Sequence, residues 1–475
     1  MSWQTIVKEN NLEVAVIDTK QLLVDNPNTR IDSNFFRRSY LQNDDVVRAK
    51  KWAYLSDVSK SIINFGAYSL TNQIEFLEEG VPYINVGDIK ENNILVDNAK
   101  RIDEKLSATV LKKSLALDGQ VLLTIAGTIG NASVAYCLPK NTNSNQAIAN
   151  ITLNDNVSPF YVSTYLNCKY GKSQTGRLTI SSVQPNLLLT QVKLIKVALP
   201  TKLLQDAIEK AYKDYQSFVI KSAQIYKEAE QMLLKEINLE GYKGTDKAIS
   251  VRNFSDCLSD NRFDAEYWQP DYDVILDTLS AYKKGVSTIG DEFKQLKNNF
   301  KKDKEKEYNY IEIGDVNVST GEVEYNSVIG AELPANAKIK FGKRQLITSK
   351  VRPNRGATAI LDDHEGYIGS GAFTVLTEQK NINIETLMVY LKTQPIRELL
   401  LRYNTGTSYP VITDADVLKL PIPLIDKAVQ KKISELVSVS ATERQQAKEL
   451  LEKAKRAVEI FIEKDEKEAL KFLEK

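Results

Sequence analysis

The chain repeats itself, and the repeat restricts the architectures open to it. YINVGDI at 83–89 returns as YIEIGDV at 310–316, and YLNCKYGK at 165–172 returns as YLKTQPIR at 390–397. KVALP at 196–200 returns as KLPIP at 419–423, and QDAI at 205–208 as QKKI at 430–433. RIDSNFF at 30–36 has a looser partner in RFDAEYW at 262–268. One such match is within reach of chance. Five in the same order, at a nearly constant separation of about 225 residues, mark a tandem duplication. The two units therefore share a fold, and 475 residues suit two or three domains better than one core.

Each unit follows one plan. A globular stretch, about 30–200 or 262–423, carries short β-rich runs such as VPYINV, GQVLLTIAG, RQLITSKV and AFTVLT between Gly, Asn and Asp turns. After Pro200, or after Pro421 and Pro423, a long polar helix begins. The first is expected over about 202–238, where Leu204, Ile208, Ala211, Tyr215, Phe218, Ser222, Ile225, Ala229 and Met232 alternate spacings of four and three. Gly241 and Gly244 are its expected stop. The second is expected from about 425 to the end, with a looser seam of Val429, Ile433, Leu436, Ser440, Glu443, Ala447, Leu450, Ala454 and Phe461. At 1.5 Å per residue each helix spans roughly 50 Å. Polar seam positions (Ser222, Ser440, Glu443) suggest that the helices pack against more than each other; the alternative is a self-contained helical hairpin.

The expected fold class is α+β. Two similar β-rich domains with small helices are separated by two long helices, which form an antiparallel coiled coil under pseudo-twofold symmetry. The expected division is an N-terminal segment 1–29, a first domain 30–200, a central helix 201–239, a linker 240–261, a second domain 262–423 and a C-terminal helix 424–475.

Several chemistries are disfavoured. The three cysteines, Cys137, Cys168 and Cys257, have no zinc-like spacing, and His364 is the only histidine. Walker phosphate loops, dinucleotide fingerprints and amino-methyltransferase Asn/Asp-Pro-Pro-aromatic motifs are absent. TIAGTIGNA at 124–132 reads as a strand and tight turn, and Asp362–Glu365 as a solvated turn. The N-terminus has no signal-peptide core, and no run of about 18 apolar residues occurs. The expectation is a soluble, cytoplasmic, non-catalytic chain with no membrane segment, metal or cofactor of its own.

Charge is informative only locally, because 63 Lys and Arg balance 62 Asp and Glu. Seven basic residues and no acid lie between Lys338 and Arg355: Lys338, Lys340, Lys343, Arg344, Lys350, Arg352 and Arg355. Six lie between Asn156 and Gln205: Lys169, Lys172, Arg177, Lys193, Lys196 and Lys202. A third stretch, KQLKNNFKKDKEK at 294–306, is Lys-rich. Such clusters can neutralise phosphates; the alternative is a solvated face. The loops TGRLTISSVQPN at 175–186 and TGTSYPVIT at 405–413 align in the repeat and carry hydroxyl and amide side chains around a glycine. Those groups can bond base edges or phosphates, and glycine lets backbone approach a ligand.

RFDAEYW, the YINVGDI/YIEIGDV pair, the turns at Gly119 and Gly342, TGTSYPVIT and the KLPIP…QKKI junction together resemble the specificity subunit of type I restriction-modification systems. The resemblance covers nearly the whole chain. It implies that each globular unit is a target-recognition domain reading one half of a split DNA target, with the helices as spacers. It also implies two methylation subunits as partners, carrying S-adenosylmethionine and methylating adenine. Motor-nuclease subunits, with ATP and Mg, would cut unmodified DNA. TIAGTIGN is uncharged where the other unit has SKVRPNRG, which implies an asymmetric target.

Candidate DNA contacts in the first unit are Lys60, Tyr68 and Asn72, then Thr128 and Asn131, then Asn145 and Gln146, and finally Arg177, Ser181, Ser182 and Gln184. In the second they are Lys297, Lys301 and Lys302, then Lys350, Arg352, Asn354 and Arg355, then Ser370, and finally Thr407, Ser408 and Tyr409. Arg352 and Arg355 suit guanine readout or phosphate clamping. The alternatives are a specificity subunit of a related methylase-nuclease or phage-defence methylation complex, or a non-DNA scaffold with duplicated β-rich domains.

Overall fold

A computed structural model of the chain describes residues 16–474, except 24–25, 27–28, 65–73, 97–98, 181–184, 248, 298 and 407. It divides into two compact units, Met1–Val219 with Gln445–Lys475, and Ile220–Arg444. Each long helix is thus shared, its first half in one unit and its second in the other.

The first unit holds an antiparallel sheet in the spatial order Ser59–Ile63, Ile148–Leu153, Val121–Thr124, Ala132–Val134. A smaller sheet pairs Val81–Ile84 antiparallel to Lys100–Ile102 and parallel to Asn143–Ser144. The apolar run VLLT is continuous because the larger sheet is covered on both faces. Val121 and Leu123 join a core containing Tyr161, Val162 and Val458, whereas Leu122 packs with Ile84, Ile89 and Ile148.

The second unit repeats this topology. Its antiparallel sheet runs Phe293–Gln295, Phe373–Glu378, Gln345–Ser349, Thr358–Leu361. A second four-stranded sheet contains one parallel pair, Glu307–Ile311 beside Ile368–Ser370, flanked by Asn326–Ile329 and Ala337–Lys340. Leu346 and Ile347 again face opposite cores.

The repeated sequence elements are pins between the sheet and the long helix. Ser158 caps the helix Pro159–Asn167, and Asn383 caps Ile384–Lys392. The amide N–H of each capping residue donates to a glutamine in the first turn of a long helix, Gln205 or Gln430, at 2.9 Å in both units. Tyr165 donates its hydroxyl to the Lys196 carbonyl and Tyr390 to that of Pro421, at the same repeat positions.

The long helices cover Lys202–Glu236 and Lys427–Glu463, and a separate helix, Glu466–Glu474, follows. Within the second unit they run antiparallel: Lys221 meets Glu443 at 2.6 Å, and Ser222 and Ser440 exchange hydrogen bonds. The heptad seam expected from sequence does not persist. Beyond Ser222 the buried positions are Tyr226, Ala229 and Leu233, while Ile225 and Met232 are half-exposed. An α-helix turns every 3.6 residues, so a 3.5-residue seam drifts about 20° per heptad unless the pair supercoils. The first helix also ends before its glycines. Asn238 takes the left-handed conformation, and the Leu239 amide reaches back to the Leu234 carbonyl.

Candidate nucleic-acid interface

In the second unit, residues between the strands Gln345–Ser349 and Thr358–Leu361 form a tip. Arg352 has φ +50° and Gly356 φ +74°, so the chain reverses through two left-handed residues around Pro353–Arg355. The loop after Tyr403 is joined to this tip. Val351 bridges Val411, the Arg352 amide donates to the Pro410 carbonyl at 2.7 Å, and the Ile412 amide donates to Lys350. Asn404 stiffens that loop, its Oδ1 accepting from the Gly406 and Val411 amides at 2.8 and 3.0 Å. The result is one surface on which Arg352, Asn354, Arg355, Ser408 and Tyr409 are all exposed.

The RFDAEYW segment supports this surface from below. Arg262 pairs with Asp264, lies over the Tyr267 ring and donates to the Asn404 carbonyl. Arg402, buried, stacks on Tyr267 at 4.2 Å and Trp268 at 5.4 Å. The first unit has the same device. Arg30 pairs with Asp32 and donates to the Thr179 carbonyl, while Arg177 stacks on Phe35 at 4.5 Å and donates to its carbonyl.

This corrects the expectation for Arg177. Its side chain is 10% exposed and also lies near Asp44, so it is a structural support, the counterpart of Arg402. Much of the basic run in the first unit is likewise committed. Lys196 is buried on Asp44 at 2.7 Å, Lys169 pairs with Glu463, Lys172 with Glu91, and Lys202 with Asp206. Of the six basic residues, Lys193 is exposed and the other five have acidic partners.

The other candidates sort the same way. Lys350 is half-buried and paired with Asp414 at 3.0 Å, which also accepts from Thr374. Burial tends to raise the Asp414 carboxyl, but Thr374 and Lys350 outweigh it and hold it below its usual value. Ser370 is buried, accepting from Asn336 and the Ala372 amide. Its repeat equivalent Asn145 accepts from the Ala147 amide and donates to Asn85. Both hold the chain where it passes between sheets; Ser370 is enclosed there, and Asn145 is half-exposed. Gln146 is half-buried, and its Oε1 lacks a protein partner. Lys60 is exposed but pairs with Asp155.

Thr128 is exposed on the uncharged tip of the first unit, and Asn131 beside it accepts from Lys172 at 2.7 Å. Lys297, Lys301 and Lys302 are exposed. The Phe300 amide bonds the Lys338 carbonyl and Asn299 bridges Ile339, which sets Lys301 and Lys302 beside exposed Lys338 and Lys340. Tyr68, Asn72, Ser181, Ser182, Gln184 and Thr407 lie outside the described residues. Sequence reasoning missed Asn404, Arg402 and the Tyr267 ring. The available signal was that Arg177 and Arg402 occupy one repeat position. Among the described residues no group of three or more His, Cys, Asp or Glu is placed to hold a metal ion, and no helix is long and apolar enough to cross a membrane.

Residues 283–453 match the family described as the type I restriction modification DNA specificity domain. No curated protein matches the chain. Among solved structures, the S subunit of a type I restriction-modification system from M. genitalium is 12% identical with a TM-score of 0.38, over 89% of this chain and 96% of that one. The HsdS subunit from Thermoanaerobacter tengcongensis is 11% identical with a TM-score of 0.30, over 87% and 97%. A structure describing complex assembly and conformational transition of the type I R-M system is 12% identical with a TM-score of 0.26, over 88% and 98%.

Proposed function

Because the second half of the chain matches a type I restriction modification DNA specificity domain and the first half repeats its plan, we propose that the chain is the DNA-recognition subunit of a type I restriction-modification complex. Each unit reads one half of a bipartite, asymmetric target. The observation that carries this reading is the stiffened surface of Arg352, Asn354, Arg355, Ser408 and Tyr409, which presents cationic, amide, hydroxyl and aromatic groups together. Protein–DNA contacts draw on these groups, with phosphate contacts orienting the protein and base-edge contacts specifying sequence. Lys301, Lys302, Lys338 and Lys340 supply phosphate neutralisation.

The first unit offers an uncharged tip around Thr128 at the same topological position, so its half-site differs. Catalysis belongs to the partners: two methylation subunits with S-adenosylmethionine, and motor-nuclease subunits with ATP and Mg. The long helices space the two readers and dock the methylation subunits. The test is co-expression with the neighbouring methylation and motor-nuclease genes, followed by mapping of methylated adenines. A split motif that appears only with this chain supports the proposal. No new methylation, with an active methylation subunit confirmed, refutes it in favour of the scaffold.

A further inference from the structure

Both long helices finish with the same apolar stripe. Ala229, Leu233 and Ile237 are buried in the second unit, and their repeat equivalents Ala454, Val458 and Ile462 are buried in the first. Apolar packing alone therefore gives either helix end little reason to choose one domain over the other. Specificity requires a difference between the two pairings. Beside this stripe one position reverses sign: the first helix carries Glu230 where the second carries Lys455.

The domains reverse sign with it. In the first unit Lys455 donates to Glu91 at 2.8 Å, and Lys172 approaches the same carboxylate at 3.3 Å. Burial tends to raise Glu91, but these two lysines outweigh it and hold the carboxyl below its usual value. In the second unit the residue at the Lys172 position is Arg397, and Lys392 lies buried nearby, donating to the Ser319 carbonyl at 3.2 Å and sitting 5.2 Å from the Tyr226 ring centroid. Burial raises the Glu230 carboxyl, and the charges of Arg397, Lys392 and Lys227 oppose that rise, with no direct ion pair among the described residues. Lys392 is already crowded: burial, then Arg444 and Arg397, depress its ammonium, and Glu230 opposes them. A lysine in place of Glu230, which is half-buried, would add a third cation beside Lys392 and Arg397.

We propose that this charge reversal makes the two repeats fit each other and not themselves. The acidic end of the first helix seats on the basic second domain, and the basic end of the second helix on Glu91 of the first. Two first halves from separate chains would set Glu230 against Glu91. Two second halves would set Lys455 against Lys392 and Arg397. The kind of partner each half accepts is therefore the other repeat, so the assembled molecule always holds one of each domain. The inference does not depend on what the domains bind.

The test nicks the folded full chain at a protease site inserted between Ser250 and Val251, both beyond the first helix. Nicked molecules with differently tagged halves are mixed, diluted, reconcentrated and weighed by native mass spectrometry. The expected result is mixed pairs alone for the unaltered sequence. With Glu230→Lys and Lys455→Glu together, each half becomes complementary to itself, and like pairs appear. Like pairs from the unaltered sequence, or their absence from the doubly reversed one, overturn the proposal. If the doubly reversed chain does not fold, the intact variants Lys455→Met and Lys455→Glu decide. Both lose the ion pair and only the second places an anion on Glu91, so Lys455→Glu must melt lower; equal melting overturns the proposal.

Discussion

The guanidinium carbon of Arg352 lies 5.5 Å from the centroid of the Tyr409 ring, so the two loops of the second unit meet through a cation–π contact at their exposed surface. Arg352 also holds φ +50°, a conformation costly for a residue other than glycine or asparagine. Arg352 is exposed, so no burial of its side chain offsets that cost. Arg352→Gly is therefore expected to stabilise the fold, by about 1 kcal/mol, while weakening DNA binding about tenfold or more. Urea melts and fluorescence anisotropy against cognate DNA measure the two effects. If Arg352 reads a guanine, the loss concentrates at one base pair. If it clamps a phosphate, the loss is uniform and the salt slope falls by about 1. Unchanged binding by both Arg352→Gly and Arg355→Ala would remove this tip from the interface.

Arg177 and Arg402 give the opposite signature. Arg177 lies against the Phe35 ring and carbonyl, and Arg402 against the Tyr267 and Trp268 rings and the Asp260 carboxylate, each beneath a loop rather than presented to solvent. Arg177→Ala or Arg402→Ala is expected to cost about 2–3 kcal/mol of stability, because a buried charge network loses its centre. DNA affinity per folded molecule should change little in conditions where the variant remains folded. A variant with wild-type melting and lost DNA binding would return that arginine to the interface.

These two groups mark what the sequence made legible and what it did not. The repeat is visible because its recurring residues are the pins: Gln205 and Gln430 on the helix caps, Tyr165 and Tyr390 on strand carbonyls, Arg177 and Arg402 under the loops. The duplicated topology follows from them. The basic run of the first unit is largely engaged by acids that lie far away in sequence, Asp44 for Lys196 and Glu463 for Lys169. A run without local acids is thus weak evidence of an open patch. Ser370 and Asn145 show a related ambiguity. A side chain that turns the backbone between sheets has the same polar character as one that reads a base.

Lys392 predicts a pH dependence. Burial and the nearby Arg444 and Arg397 push its ammonium down from 10.5 to about 7, with Glu230 opposing. The unfolded chain keeps this lysine protonated to about pH 10. Between pH 7 and 10 the unfolded state therefore binds more protons than the folded one, and stability rises with pH over that window. Below pH 7 the full cost of the buried charge is present. Lys392→Met is expected to stabilise the protein by about 1–3 kcal/mol at pH 6, with the gain shrinking towards pH 10. Thermal melts of both proteins across pH 6 to 10, buffered at constant ionic strength, check this. A gain that grows with pH would contradict the sign.

Gln430 predicts how far the pins between helix and domain matter. Its Oε1 accepts from the Asn383 amide at 2.9 Å, and its Nε2 donates to the Asn381 and Ile425 carbonyls at 3.0 and 2.8 Å. All three partners are backbone groups, and the side chain is buried. Gln430→Met fills the space but removes all three bonds, leaving the Asn381 carbonyl with Lys427 alone, so it is expected to cost about 2–3 kcal/mol. Gln430→Glu keeps the acceptor for Asn383 but turns its other oxygen on two carbonyl oxygens while burying a charge. It should destabilise more than Gln430→Met at pH 8 and recover as pH falls and the carboxyl becomes a donor. Urea melts at pH 8 and pH 5 separate the two substitutions. If they lose equal stability at both pH values, burial rather than the amide's three hydrogen bonds explains why glutamine stands at this position in both repeats.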